Sequence, residues 1–419
     1  MKKPLLVMGI DLGTSGVRIA LINEKRVLVH SAEMRYPTGL SASEDWKECC
    51  QQLIKDIPSH LRTCLAAIAI DGTSGTLLAC NEKGKPLGPA LPYHICCLEQ
   101  KQALAKILPK GGNDSSINSS LARALCLVTK YGPDLLLRHQ ADWISGWLVG
   151  NWHWGEESNN LRMGWDPQTK LWPPILETFS WRKALPEIIE SGNIISVLAP
   201  EQAKRLSLPK DLLIIAGTTD SNAAVISAQL EKEDGLTILG STIVVKRFVE
   251  TPITGTGVTN HRILNRWVCG GASNTGGAVL RTLFSDKDLQ ELSRQINPAL
   301  DSGQSLRPMP FTGERFPIND PYLEPIMEPR PVSDSLYLHG VLEGLARIES
   351  QSWQKLISLG APPPKRIITI GGGAKNPQWR IIRERISGFP IKACENLTAE
   401  GSALIALHGI SNEKKNLRD

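Results

Sequence analysis

Four short stretches of this chain set acidic, hydroxyl and glycine residues in patterns that suit phosphate chemistry. Asp11-Leu12-Gly13-Thr14-Ser15-Gly16 follows an apolar run, so a carboxylate at a strand end is succeeded at once by unobstructed backbone N–H groups. Such a turn can cradle phosphate oxygens while Asp11 reaches Mg2+, directly or through its waters. An ordinary hairpin turn has the same composition, so this stretch alone decides nothing. Ala216-Gly217-Thr218-Thr219-Asp220-Ser221-Asn222 puts a second acid where a buried-type strand gives way to a small-residue helix. Asp220 reads either as a helix cap or as a general base for a hydroxyl. A free Asp has a pKa of about 3.9 and is a weak base, yet loose phosphoryl transfer asks only that it align the nucleophile and take the proton late. Gly240-Ser241-Thr242 is another glycine turn between apolar runs. Gly371-Gly372-Gly373-Ala374-Lys375-Asn376 follows a strand and precedes a helix, where bare backbone can lie against a purine or a phosphate and Asn376 can offer an amide; a tight β-to-α turn is the plain alternative. Neither a P-loop nor the G-x-G-x-x-G dinucleotide fingerprint is present.

The elements that must hold these stretches can be read from periodicity. Lys3 to Ile10, Val17 to Ile22 and Arg26 to His30 form an opening meander around the first turn. Trp46, Cys49, Cys50, Leu53, Ile54 and Ile57 recur at helical spacing, with Ser43 as the expected N-cap and Glu44 and Asp45 in an acidic first turn. LAAIAI, DGTSG and TLLAC then repeat the opening arrangement in outline. Seven of the eleven tryptophans fall between Asp142 and Trp181, where periodicity is weak, and the region reads as an insertion outside the sheet core. Strand, turn and strand resume at Leu212 and again at Thr237 to Val245. Ser335 to Leu359 is a long helix, and Ala399 to His408 is a small-residue helix suited to close packing.

At 419 residues the chain fits two domains, expected at 1–230 and 231–410 with a polar tail at 411–419. Lys and Arg exceed Asp and Glu by five, and no basic block is interleaved with aromatics, which argues against nucleic acid. Nine cysteines show no C-x-x-C and no metal-ligand cadence, so reduced thiols are the expectation. No apolar run is long enough for a membrane span, and the start reads as a first strand rather than a signal, so a cytoplasmic protein is expected.

The order of the motifs, DLGTSG, GTTDSNAA, GST and GGGAKN, resembles that of the FGGY carbohydrate kinases, members of the actin-like ATPase fold, over nearly the whole chain. The segment from Ala141 to Pro173 is similar to the D-ribulose and xylulose kinase-like branch of cyanobacteria and plastids. The resemblance implies an α/β protein of two RNase H-like domains with a cleft between them, sugar on the first and ATP on the second. It implies Asp220 as catalytic base and Asp11 as Mg2+ ligand. It implies Gly13, Thr14, Ser241, Thr242, Gly372, Gly373 and Asn376 at the nucleotide and its phosphates, and Asp11, Ser15, Gly16, Arg18, Ser74, Asp220 and Ser221 at the sugar.

One departure bears on the acceptor. Where relatives carry an Asp and then an Arg in the sugar loop, this chain reads Tyr93-His94-Ile95-Cys96-Cys97, so both charges are gone. The implied reaction is phosphorylation of a pentulose at its terminal hydroxyl, D-ribulose ahead of D-xylulose, with ATP and Mg2+, by a monomer or homodimer. A degenerate kinase that senses sugar or nucleotide without turnover is the alternative, and the altered loop is its support. An actin-like assembly or chaperone ATPase with no sugar acceptor stands as a further rival.

Overall fold

The computed structural model describes residues 4–107 and 116–416. The chain forms two units, Met1–Ser227 with His261–Asn265 and Leu397–Asp419 in the first, and Ala228–Asn260 with Arg266–Asn396 in the second. The strands of the first unit are β1 (Leu6–Leu12), β2 (Gly16–Asn23), β3 (Leu28–Arg35), β4 (Leu65–Gly72), β5 (Leu77–Cys80), β6 (Leu136–His139), β7 (Trp154–Glu156), β8 (Glu187–Ile189), β9 (Ile194–Val197) and β10 (Leu213–Thr219).

Six of these form one sheet in the order β3-β2-β1-β4-β10-β9. β1 runs antiparallel to β2, and parallel to β4, which is in turn parallel to β10. β1 is buried at every position, as a central strand covered on both faces must be, whereas the edge strand β3 alternates between half-buried and exposed. One face is covered by the helix Ser43–Asp56, through Trp46, Cys49, Cys50, Leu53 and Ile54, and by the helix Gln140–Val149, through Trp143 and Trp147. The other face carries the helix Thr398–Asn416, whose Ala403 and Ala406 pack on Val7, Ala67, Ala69 and Ile215. Approach there is so close that a Cβ on Gly9 would lie 1.9 Å from the Ala399 carbonyl oxygen, which is why small residues alternate on that helix.

The second unit repeats the plan. Its strands are β11 (Asp234–Leu239), β12 (Ile243–Val249), β13 (Val258–Ile263), β14 (Arg266–Ala272), β15 (Arg366–Ile370) and β16 (Ile391–Ala393), ordered β13-β14-β12-β11-β15-β16. The first strand β11 is antiparallel to β12 and parallel to β15, as β1 is to β2 and β4. Two RNase H-like sheets are therefore present, as expected. The long helix Asp334–Ser358, capped by the Ser333 side chain, is tied to this sheet by a buried polar knot: Arg383 donates to both Glu349 carboxylate oxygens and to Thr369 Oγ1, and Thr237 Oγ1 donates to Glu349 Oε1 at 2.6 Å.

Several local expectations are corrected. TLLAC does not repeat the opening meander, because β5 leaves the main sheet and pairs with β6 in a two-stranded ribbon. Trp143 and Trp147 are not in a peripheral insertion; they belong to the main sheet core, and Trp143 meets Trp46 edge-on at 6.1 Å. Helix Ser43–Asp56 starts one residue earlier than expected, with Ala42 at the cap position, so Ser43 is inside its first turn and caps nothing. The region expected as a second domain to residue 410 gives up its final helix, Thr398–Asn416, to the first unit's sheet. That helix also runs through the expected polar tail, of which residues 417–419 lie outside the described residues. No described helix is long and apolar enough to cross a membrane.

Candidate active site

Parallel pairing in the first unit collects its acids. Asp11 on β1 lies in register with Asp71 on β4, and Asp71 is in register with Thr218 on β10, two residues before Asp220. Asp11, Asp71 and Asp220 thus stand at the carboxyl ends of three adjacent strands, where α/β sheets place their reacting groups. Asp71 is fully buried. Its Oδ2 accepts from Ser402 Oγ at 2.5 Å, and its Oδ1 receives no N–H or O–H bond among the described residues. Burial, and next the charge of Asp11, push the Asp71 carboxyl well above the usual carboxylate range. Burial also raises Asp11, against the opposing pull of the Arg18 guanidinium. The two carboxyls stand in register on neighbouring strands, and each is raised by burial, so holding both ionised is costly without a cation.

The β1–β2 turn carries the first expected phosphate group. Gly13 N donates to the Gly16 carbonyl at 2.9 Å, leaving Thr14 and Ser15 exposed at the tip. A Cβ on Gly16 would come within 2.2 Å of the Met34 carbonyl oxygen, so only glycine lets β3 run alongside. Arg18, opposite Asp11 in the β1–β2 register, bridges Asp11 at 3.3 Å and Glu33 at 3.3 Å.

Ser74 is half-buried in the β4–β5 turn. Beside it, Gly75 takes φ +94° and its carbonyl accepts from Arg123 Nε at 2.8 Å. Arg123 is fully buried and also donates to the Tyr93 and Ile95 carbonyls, both at 3.1 Å, and to Asn118 O at 3.2 Å. A single guanidinium therefore fixes the backbone of the expected acceptor loop, although the loop has lost its own charged side chains. Further along, Glu156 caps a short helix, Glu157–Asn160, and burial pushes the Glu157 carboxyl up to about 7. Ser158 Oγ and both polar atoms of the Asn159 side chain are buried without hydrogen-bond partners among the described residues.

Asp220 begins the helix Asp220–Ser227, and its Oδ1 accepts from Ser221 N at 2.6 Å. Both residues are half-buried.

The second unit brings its own expected residues together. Gly240 N donates to Thr242 O across the β11–β12 turn, and Gly277 N and Ala278 N donate to Gly240 O and Ser241 O. The β15 end passes over the same point: Gly371 takes φ +95°, and a Cβ there would meet Leu239 O at 2.6 Å. Ser241, Gly372 and Gly373 line one cavity of about 940 Å3, closed on its other sides by residues such as Leu280, Leu289 and Trp379. Gly372 has open space where a side chain would be. Thr242 is half-buried in the turn but does not line the cavity. Asn376 lines the same cavity, and its side chain also serves the fold: its Oδ1 caps the helix Pro377–Ser387 by accepting from Trp379 N, and its Nδ2 donates to Ser293 Oγ at 2.9 Å. A larger cavity of about 1040 Å3 lies in the first unit around Trp165, Trp172 and Lys183, but no expected site residue lines it.

No protein-family model matches the chain. Among characterised relatives, a xylulose kinase of Lactococcus lactis subsp. lactis is 25% identical over 406 residues, covering 88% of this chain and 81% of that protein. An L-fuculokinase of Escherichia coli K12 is 21% identical, covering 97% and 93%. The chain is a homologue of the FGGY sugar kinases. Among solved structures, the ligand-bound xylulose kinase from Lactobacillus acidophilus superposes with a TM-score of 0.83 at 18% identity, covering 97% of this chain and 90% of that one. The Plasmodium falciparum glycerol kinase with ADP gives 0.82 at 16% identity, covering 99% and 92%. At these identities the structural likeness speaks for the fold, that of the actin-like ATPases.

Two residues of this FGGY homologue escaped the sequence reading. Asp71 was seen only as part of a turn, although the repeated Asp-Gly-Thr-Ser-Gly after LAAIAI signalled a second acid at a strand end. Arg123 lies in a helix with no motif around it, and its role rests on carbonyls distant in sequence, which no local pattern encodes. The residues present also suit the divalent cation that the fold family implies. Two adjacent buried carboxyls, both raised by burial and one with an oxygen lacking a donor, are the donor set that hard cations prefer, so Asp11 and Asp71 would hold Mg2+.

Proposed function

We propose that the chain transfers the γ-phosphate of ATP to the terminal hydroxyl of a pentulose. The observation that carries this reading is the meeting of Asp11, Asp71 and Asp220 at neighbouring strand ends, in a homologue of enzymes named xylulose kinase and L-fuculokinase. In the proposed reaction Asp220 orients the acceptor hydroxyl and takes its proton as the oxygen–phosphorus bond forms. In the first unit Gly13 and Thr14 offer backbone to the terminal phosphates; in the second, Ser241 and Thr242 offer hydroxyls and backbone to the phosphates, while Gly372 and Gly373 admit the adenosine. Ser15, Gly16, Arg18, Ser74 and Ser221 border the sugar. Asn376, on the wall of the same cavity, borders the nucleotide and also fixes the helix start beneath it. Bound at Asp11 and Asp71, Mg2+ would offset phosphate charge.

Among pentuloses, the similarity of the segment from Ala141 to Pro173 favours D-ribulose, and the relatives' names bring D-xylulose alongside it. An ADP-release assay over ketoses, polyols and glycerol tests the reading. Stimulation by one or both pentuloses is expected; ADP release that no sugar raises would overturn it.

A further inference from the structure

Outside the acids of the proposed reaction, one group of donor atoms converges. Cys97, Glu99 and Cys126 each offer a ligand atom, and these atoms all lie within 4.8 Å of one another; among the described residues this is the one group of three or more His, Cys, Asp or Glu side chains that does so. We propose that these three side chains form a binding site for a thiophilic divalent cation of the Zn2+ class.

The geometry is nearly assembled. Cys126 Sγ donates to Glu99 Oε1 at 2.9 Å. Around a tetrahedral zinc with bonds of about 2.0–2.3 Å, donor atoms sit roughly 3.3–3.8 Å apart, so Cys126 and Glu99 need to part by about half an ångström and no pair needs to close by more than about 1.5 Å. The ligands come from two elements held in place independently. Cys97 precedes the turn Leu98–Gln100, and its backbone N–H donates to Ile117 O at 3.0 Å. Cys126 is on the helix Ser120–Tyr131, which Ser119 caps. Cys97 is buried in an apolar cluster with Leu104, Leu121 and Leu125, Cys126 is half-buried and Glu99 is exposed, so the site is closed at Cys97 and open to water at the carboxylate. Solvent would fill the fourth position. Both thiols are protonated without a cation, since burial raises each, so binding releases protons. Packing alone explains the buried Cys97 and the half-buried Cys126, but not an exposed carboxylate drawn onto Cys126.

The site also has a place in the fold. Arg123, one turn before Cys126 on the same helix, holds the Tyr93 and Ile95 carbonyls. A cation joining Cys97 to Cys126 would pin the far end of that loop to the same helix, doing with a metal what the missing Asp and Arg side chains do not.

The test is a Co2+ titration of the reduced, metal-free full chain, followed by absorption, with Zn2+ as competitor. A thiolate-to-cobalt charge-transfer band with tetrahedral d–d bands, displaced by Zn2+, is expected. Cys97→Ser and Cys126→Ser should each lose affinity at least about 100-fold and Glu99→Gln about tenfold, while Cys64→Ser matches the parent; circular dichroism confirms that each variant is folded. Absence of the charge-transfer band in the reduced chain, or its persistence in the folded Cys97→Ser and Cys126→Ser variants, overturns the proposal. The readout is metal binding alone, so it stands apart from the outcome of any kinase assay.

Discussion

Asp11 and Asp71 stand in register across two parallel central strands, and burial raises both carboxyls. Neighbouring like charges resist joint ionisation, so a cation bound between them would relieve the repulsion.

The first consequence is for stability. A carboxyl whose pKa is raised on folding contributes stability that is full below its unfolded value and is lost as pH rises towards the folded value. Asp71→Asn removes the repulsion and is expected to raise the Tm at pH 8, by about 2–4 °C for each kcal/mol relieved. Mg2+ should raise the Tm of the parent at that pH and have little effect on the variant. Scanning fluorimetry with and without Mg2+ checks both; an Mg2+ shift of equal size in Asp71→Asn would contradict the pairing.

Asp220→Ala is expected to lower kcat by about 10²–10⁴, the usual worth of a general base, while the KM for ATP stays within a few-fold. The nucleotide residues of the second unit are untouched by the change. Steady-state kinetics with the best pentulose measure this, and full activity in the variant would remove Asp220 from the reaction.

Arg123 acts on the acceptor loop through backbone carbonyls. Arg123→Lys keeps the charge but cannot reach Gly75, Tyr93, Ile95 and Asn118 together, so the sugar KM is expected to rise by about tenfold or more with kcat less affected. Equal falls in kcat and kcat/KM would place its effect elsewhere.

Glu157 gives a pH signature. Burial raises its carboxyl from 4.5 to about 7, so the folded state holds the proton longer than the unfolded one. Stability from this group is complete below about pH 4.5, declines by at most about 3 kcal/mol as pH rises to about 7, and is flat beyond. Glu157→Gln should flatten that interval and gain most at pH 8 in urea unfolding.

In the second unit, Arg383→Met leaves Glu349 buried and unpaired and is expected to cost about 3–5 kcal/mol, read as a lowered urea midpoint. The double variant Arg383→Met with Glu349→Leu should recover most of the loss, since the penalty belongs to the orphaned charge.

How legible this protein was from its sequence depended on distance along the chain. The β1–β2 turn, the strand into Asp220 and the glycine turn after β15 were readable because each motif and the element that presents it are contiguous. The role of the helix Thr398–Asn416 was half-readable: its small residues announced close packing, but the partner, Gly9 and the sheet around it, lies nearly four hundred residues earlier. β5 was misread because TLLAC has the composition of a sheet strand, and only its pairing with β6 shows that it left the sheet. Asn376 carried the right residue type for a ligand and does line the cavity, but its second use as a helix cap was not legible in the sequence.

The most direct test is 31P NMR of the chain incubated with ATP, Mg2+ and a pentulose. A sugar phosphomonoester resonance, coupled to a terminal methylene and growing one for one with ADP, is the expected result. ADP accompanied only by inorganic phosphate, or no consumption of ATP with any pentulose, would contradict the account.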